Sequence, residues 1–255
     1  MPPQAIMENE GQRLAASRMA AASGTDPKPN VIVCPTGREW AEMAAAVIGS
    51  SFDAVIAGRG ACSLMLTGGK TAERLYNQWF RSSLLPRQGM RYFFGDERCV
   101  PPTHKDSNFG LVMRTLFANA KPSGACVSRM EADDPDQDAA ARRYEALLPE
   151  RIDILLLGMG TDGHVASLFP YSDALRATER TVLPVKGPDS GHPRLSITRK
   201  VVANADEVFL LATGEAKGRV LAEAMKSPRD VTSLPVRMAL HATWLLDEAA
   251  AGQLR

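Results

Sequence analysis

The chain has 255 residues, of which 45% are hydrophobic and 23% are charged, so it has the composition and length of one large α/β domain or two small ones. Its formal net charge of +1 provides no sequence-wide basic field for nucleic acid, and no apolar run approaches the ~20 residues of a membrane span. The four cysteines are widely spaced with no Cys-x-x-Cys and no Cys/His cluster, so neither a zinc site nor a disulfide framework is predicted.

The N-terminal region is expected to be a tail. Residues 1–29 are rich in Ala, Ser, Gly and Pro without a sustained period, and only residues 12–22 favour a short helix. Charged residues run through the middle of this region, so it lacks the apolar core of a signal peptide. We therefore expect a cytoplasmic protein with a flexible tail at 1–29 and one domain at 30–255.

A glycine loop follows the second predicted strand. The apolar run Ala61–Leu66 predicts a buried strand, and Thr67–Thr71 leads from it into a helix. Such a loop can bind phosphate through Gly68, Gly69 and Thr71, because free N–H groups and the positive end of the helix dipole meet there. The nucleotide-binding P-loop pattern fails, since it requires a glycine where Leu64 stands. A tight turn with a solvated lysine is the alternative.

Charged residues follow the third predicted strand, residues 91–94. Asp96 could accept hydrogen bonds from sugar hydroxyls, and Arg98 could hold an oxyanion or a phosphate. Glu97 is expected to be solvated. Ser107 and Asn108 are expected to cap a helix through residue 117.

A surface helix is predicted next along the chain, at Asp138–Leu148. Its inward-facing residues are expected to be Tyr144, Leu147 and Leu148.

The most informative stretch follows this helix. Ile154–Leu157 are four large apolar residues without alternation, which is typical of a strand covered on both faces in a parallel sheet. Three glycines come next, and they enclose Asp162 and His164. Ligands of parallel α/β sheets bind at the carboxyl ends of strands, so an acid and a base in this position indicate a site.

Residues 156–170, Leu-Leu-Gly-Met-Gly-Thr-Asp-Gly-His-Val-Ala-Ser-Leu-Phe-Pro, closely resemble the signature of the 6-phosphogluconolactonases. The glycine loop at 67–71 and the run Asp-Glu-Arg-x-Val-Pro at 96–101, followed by Ser-Asn, are similar to two further motifs of that family. Ala72 and Val165 stand where the family usually has proline and threonine.

Two more segments extend the resemblance toward the C-terminus. A Pro-Arg-x-Ser segment at 193–196 implies that Arg194 points into the site, while His192 beside it is expected to be a surface-loop residue. A Gly-x-x-Lys segment at 214–217 implies that Lys217 reaches the phosphate. The closing Trp-x-x-Asp at 244–247 also matches, so the resemblance covers residues 30–250.

The resemblance implies a fold and a reaction. The fold would be a single Rossmann-like domain with a mostly parallel sheet flanked by helices, as in glucosamine-6-phosphate deaminase/isomerase. The reaction would be hydrolysis of 6-phospho-D-glucono-1,5-lactone to 6-phospho-D-gluconate in the oxidative pentose phosphate pathway, with no metal and no organic cofactor. His164 would be the general base, and Asp162 would orient it or order the attacking water. The substrate-binding residues would be Gly68, Gly69, Thr71, Asp96, Arg98, Ser107, Asn108, Arg194 and Lys217. The sequence does not divide them into residues that bind the phosphate and residues that bind the oxyanion.

Two alternatives are weighed against this reaction. Glucosamine-6-phosphate deaminase/isomerase resembles Asp-Gly-His-Ile-Ala-Phe-Asn-Glu-Pro, with a further carboxylate after the histidine, whereas residues 165–170 contain no acid. A non-catalytic module that binds a sugar phosphate would be expected to lose the base, and both His164 and Asp162 are present.

Overall fold

Apolar runs that end in glycine or polar residues form the strands of a central parallel sheet. The computed structural model describes residues 27–35, 37–82, 84–86, 88–118, 126–187, 191–227 and 229–254. The helix predicted at 12–22 and the predicted tail up to residue 26 lie outside these described residues. The seven strands stand in the order β1-β10-β9-β6-β2-β3-β5, and all of their pairings are parallel. Their bounds are β1 Asn30–Cys34, β2 Cys62–Leu66, β3 Met90–Phe94, β5 Cys126–Val127, β6 Ile154–Gly158, β9 Glu207–Ala212 and β10 Thr243–Asp247.

A second, smaller sheet stands beside the first and was not predicted from the sequence. It is antiparallel, with strand order β4-β8-β7. The strands are β4 Asp96–Arg98, β7 Val182–Val185 and β8 Arg194–Ile197. Only one residue, Gly95, separates β3 from β4. The small antiparallel sheet is therefore held against the carboxyl edge of the parallel sheet.

Helices cover both faces of the parallel sheet and give the mostly parallel α/β fold predicted from the sequence. They are α1 Arg38–Arg59, α2 Lys70–Ser82, α3 Asn108–Thr115, α4 Gln137–Leu147, α5 Arg199–Asn204, α6 Glu215–Lys226 and α7 Glu248–Ala251. Short 3₁₀ helices lie at Asp173–Arg176, Pro235–Ala239 and Gly252–Leu254.

Two hydrophobic cores lie on opposite faces of the sheet. Side chains alternate along a strand, so Ile154 and Leu156 of β6 enter one core while Leu155 and Leu157 enter the other. All four are at most 1% exposed, as the absence of alternation predicted.

Helix α1 belongs to one of these cores. By length and composition alone it is apolar enough to cross a membrane, although the sequence contains no continuous apolar run of that length. Its Trp40, Ile48 and Phe52 are fully buried against the sheet and α2. The apolar surface of α1 is therefore used in packing.

One prediction for the core-facing residues of α4 is wrong. Tyr144 is buried, but Leu147 is 50% exposed. The helix ends at Leu147, and the chain turns to extended backbone at Leu148, which packs against the core in its place.

The chain reverses its direction across the sheet between β2 and β6. After β2 it proceeds to β3 and β5 on one side, and after β6 it proceeds to β9 and β10 on the other. Connections that leave neighbouring strands in opposite directions open a crevice at the carboxyl ends of those strands. The fold therefore places the loops after β2 and β6 side by side at this point.

The expectation from the sequence that the Glu97 side chain is solvated is wrong. It is 3% exposed, and its carboxylate accepts hydrogen bonds from the N–H groups of Arg98, Asn108 and Phe109 and from the Ser107 hydroxyl. Burial raises the pKa of Glu97, and the hydrogen bonds partly offset that effect. The side chain ties β4 to the N-terminus of α3.

We predict that Glu97→Ala lowers the free energy of unfolding by about 3 kcal/mol, because several buried donors lose a charged acceptor. Urea denaturation of the purified variant measures this loss. Glu179→Ala removes an exposed carboxylate and should change stability by less than about 0.5 kcal/mol. Equal stability of the two variants would contradict the tying role of Glu97.

Candidate active site

A cavity of about 230 Å³ opens where the chain reverses direction, at the carboxyl ends of β2 and β6. The loop after β2 with the start of α2, strand β4, the loop after β6, strand β8 and the first turn of α6 form its walls. It is lined by Thr67, Gly68, Gly69, Lys70, Thr71, Asp96, Arg98, Gly158, Met159, Gly160, His164, Ala166, Arg194 and Lys217. Its position and cationic lining fit a small anionic ligand.

The glycine loop brings the N-terminus of α2 to the cavity. Gly68 must lack a side chain, since a Cβ there would lie 2.0 Å from the Asn108 amide oxygen. Gly69 has a φ of +93°, which L side chains rarely adopt. Helix α2 begins at the next residue, so its first N–H groups, which have no partner within the helix, face the cavity side of the loop.

A second helix N-terminus meets the first. Gly214 precedes α6 with a φ of +88°, and its N–H donates to the Asp247 carboxylate at 2.9 Å. The hydroxyls of Thr71 and Thr213 lie 3.2 Å apart, which joins the starts of α2 and α6. Both helix dipoles therefore present their positive ends to one region of the cavity.

Lys217 stands in the first turn of α6 and adds a full charge to this region. Its Nζ donates to the Thr71 hydroxyl at 3.5 Å. Burial lowers the pKa of Lys217, and the nearby Asp247 carboxylate opposes this shift. The ammonium is thus partly desolvated and incompletely neutralised, a state that a bound phosphate would stabilise.

Two arginines form another part of the cavity wall. Arg98 and Arg194 are directly paired across β4 and β8, and like charges in such cross-strand positions destabilise a sheet. Desolvation lowers the pKa of Arg194; Asp96 opposes that effect and Arg98 adds to it. Among the described residues, the Nε atoms of both arginines are buried without a hydrogen-bond partner. This wall therefore places two cations at the cavity, where an anion would relieve their repulsion.

Asp96 supports the arginine wall. It is 5% exposed, and its carboxylate accepts from the Asn108 amide at 3.0 Å and from the Ser167 hydroxyl at 2.6 Å. Arg194 Nη1 lies 3.8 Å from the same carboxylate. Asp96 lines the cavity as predicted, but its hydrogen bonds go to the protein, so it positions Arg194 and the loop containing Ser167.

His164 and Asp162 form a hydrogen-bonded pair at the cavity edge. Nδ1 of His164 lies 2.6 Å from the Asp162 carboxylate, which can only accept, so the imidazole donates there. In the neutral tautomer Nε2 then carries the free lone pair. Gly160 is required beside this pair, since a Cβ would lie 2.4 Å from both Asp162 Oδ1 and His164 Nδ1.

Phe169 links this pair to the arginine wall. Its ring centroid lies 4.7 Å from that of His164, and the Arg194 guanidinium stands 5.4 Å above the same ring. Sequence reasoning missed Phe169 and Ser167, although both belong to the signature stretch. The sequence signal for both residues is their spacing after His164. That spacing indicates a role only when the fold is known to bring this loop back toward β8.

The predicted site residues divide into two groups. Those that line the cavity are Gly68, Gly69, Thr71, Asp96, Arg98, His164, Arg194 and Lys217. Asp162, Ser107 and Asn108 lie behind them: Asp162 holds His164, Ser107 caps α3, and Asn108 holds Asp96. His192 lies outside the cavity lining and is partly exposed.

Comparisons with known proteins show the family to which the chain is related. The family described as glucosamine-6-phosphate isomerases/6-phosphogluconolactonase matches residues 35–246. A 6-phosphogluconolactonase from Treponema pallidum is 35% identical over 219 residues, covering 82% of this chain and 88% of the relative.

Solved structures show the same fold. A 6-phosphogluconolactonase from Trypanosoma cruzi superimposes with a TM-score of 0.78 at 26% identity, over 90% of this chain and 98% of that one. A monomeric glucosamine-6-phosphate deaminase gives a TM-score of 0.71 at 22% identity, over 89% of this chain and 100% of that one. The latter likeness is one of fold.

We predict that, as pH rises, the anion affinity of the cavity falls at a lower pH than it would with a lysine of ordinary pKa. An anion favours the ammonium form, so affinity is lost as pH rises through the lowered pKa of Lys217, below the model-compound value of 10.5. Sulfate is a suitable probe for calorimetric titration because its charge is constant over this range. In Lys217→Arg the charge persists, so affinity should hold at the same pH. Identical pH dependence in both proteins would contradict this assignment.

Proposed function

Because the chain belongs to the glucosamine-6-phosphate isomerase/6-phosphogluconolactonase family, we propose that it hydrolyses 6-phospho-D-glucono-1,5-lactone to 6-phospho-D-gluconate in the oxidative pentose phosphate pathway. The observation that carries the proposal is the His164–Asp162 pair at the edge of a cavity that Arg98, Arg194 and Lys217 line. A lactone with a remote phosphate has an ester to be attacked and an anion to be held. The proposal includes a cytoplasmic location, where charged sugar phosphates are retained.

The phosphate binds at the helix N-termini in this proposal. The N–H groups at the start of α2, the Thr71 hydroxyl and the Lys217 ammonium converge there, and Lys217 contacts Thr71. Lys70 lines the cavity and is available as a further cation. Binding energy from the phosphate is remote from the ester, so it serves to position the reacting carbonyl.

His164 acts as the general base. Its Nε2 accepts a proton from water as the water oxygen attacks the lactone carbonyl carbon. Asp162 holds Nδ1, so it fixes the ring orientation and stabilises the imidazolium that forms. The bond from the carbonyl carbon to the ring oxygen then breaks, and the imidazolium returns its proton to the departing oxygen.

The arginine wall stabilises the tetrahedral oxyanion. Arg194 and His164 both contact the Phe169 ring, which supports a guanidinium close to the base. The like-charge repulsion between Arg194 and Arg98 would be relieved by an oxyanion beside them. We therefore propose Lys217 for the phosphate and Arg194, assisted by Arg98, for the oxyanion.

The structure of residues 165–170 disfavours the deaminase alternative. No acid occurs in this segment, and Val165, Ser167 and Leu168 are fully buried. Ser167 is committed to Asp96. Deamination with isomerisation needs further proton transfer beside the histidine, and this segment offers no side chain for it.

We predict that His164→Asn lowers kcat for lactone hydrolysis by about 10²- to 10⁴-fold. Asp162→Asn should give a smaller loss, because the base remains but is less well oriented. A coupled assay in which glucose-6-phosphate dehydrogenase generates the lactone follows its disappearance above the spontaneous rate.

Asp173→Asn, which changes a carboxylate that is 95% exposed, is the matched control and should retain the wild-type rate. Melting temperature and affinity for 6-phosphogluconate verify that each variant is folded. A folded His164→Asn protein with near wild-type turnover would contradict the base assignment.

A further inference from the structure

Two loops meet outside the cavity and bring together two histidines that are far apart in the sequence. One loop follows β4 and contains His104 and Asp106; the other precedes β8 and contains His192. The N–H of Cys99 donates to the Pro193 carbonyl at 2.8 Å, which extends the pairing of β4 and β8 toward these loops. None of the three residues lines the cavity or has a part in the proposed reaction.

We propose that His104, Asp106 and His192 form a binding site for a divalent transition-metal ion of the Zn²⁺ type. Each residue offers one ligand atom, and these atoms lie within 4.8 Å of one another. The site contains no cysteine, so cysteine spacing could not reveal it.

The distances between the ligand atoms support a shared ion. Nε2 of His192 lies 3.3 Å from Asp106 Oδ2, and Nδ1 of His104 lies 3.8 Å from the same oxygen. Two ligands of a tetrahedral zinc with bonds of ~2.0–2.1 Å stand about 3.3 Å apart. The histidine rings are nearly perpendicular, at 82°, with centroids 5.4 Å apart. Small rotations of these side chains therefore suffice for coordination.

Competing contacts at the three residues are weak. Nδ1 of His104 accepts from the Asp106 N–H at 3.2 Å, a long hydrogen bond that a metal bond would replace. The three side chains are 36%, 42% and 43% exposed, so an ion and a water as fourth ligand have access. Two imidazoles and one carboxylate favour zinc and its neighbours, whereas Mg²⁺ and Ca²⁺ prefer oxygen ligands.

A hydrogen bond connects the proposed metal site to the wall of the cavity. The Asp106 carbonyl accepts a hydrogen bond from Arg98 Nη1 at 2.6 Å. An ion held by the Asp106 carboxylate would join the two loops and hold this carbonyl in place. Metal binding is therefore expected to stabilise the rim beside Arg98.

Calorimetric titration of the full chain with Zn²⁺, in the absence of any sugar phosphate, tests the proposal independently of lactone hydrolysis. We expect one Zn²⁺ per chain in the wild type and no competition by Mg²⁺. Binding should weaken by at least tenfold in His192→Ala and in Asp106→Asn, and His192→Cys should restore it, because a thiolate is also a zinc ligand. Saturating Zn²⁺ should raise Tm by a few degrees in the wild type but not in His192→Ala or Asp106→Asn, because a ligand that binds only the folded protein stabilises it.

His164→Asn is the matched control, because the His164–Asp162 pair is the other histidine and carboxylate pair in contact among the described residues. This variant should bind Zn²⁺ as the wild type does. Zn²⁺ binding that is lost in His164→Asn and retained in folded His192→Ala would overturn the proposal in favour of a metal at the cavity edge. Absence of Zn²⁺ binding by the wild type would overturn it as well.

Discussion

The repulsion among partly buried cations is the interaction on which the site depends. The chain carries a net charge of only +1, yet Arg98, Arg194 and Lys217 line one cavity together with the N-terminus of α2. Desolvation lowers the pKa values of Arg194 and Lys217, which indicates that the neighbouring carboxylates do not fully compensate the charged forms. In the proposed function an anionic substrate supplies the missing compensation, so the repulsion among the cations favours substrate binding and the oxyanion.

A supporting layer of hydrogen bonds keeps these cations in place. Asp96 is held by Asn108 and Ser167 and faces Arg194, while Glu97 accepts four hydrogen bonds at the start of α3. Adjacent carboxylates thus have separate structural duties. The run Asp-Glu-Arg therefore places its arginine in the cavity and uses both acids to fix the surrounding backbone, which a preorganised site requires.

Much of the fold and most of the cavity lining could be predicted because they depend on local signals. A continuous apolar run such as Ile154–Leu157 predicts a strand buried on both faces, and polar residues directly after such strands predict a shared edge. The remainder depends on contacts between distant segments. The sequence around Glu97 is typical of a solvated loop, and only the packing of α3 against it supplies the hydrogen-bond donors that bury the carboxylate. The pairing of Arg98 with Arg194 requires the small antiparallel sheet. Phe169 and the group of His104, Asp106 and His192 likewise become visible only after loops have been brought together.

In the proposed function, one base and one cationic cavity perform ester hydrolysis on a phosphorylated lactone. The most direct measurement places one preparation of the full chain in two assays, disappearance of enzymatically generated 6-phospho-D-glucono-1,5-lactone and release of ammonia from glucosamine-6-phosphate. We expect accelerated loss of the lactone and no ammonia. Ammonia release without acceleration of lactone loss would contradict the proposed reaction while leaving the fold unchanged.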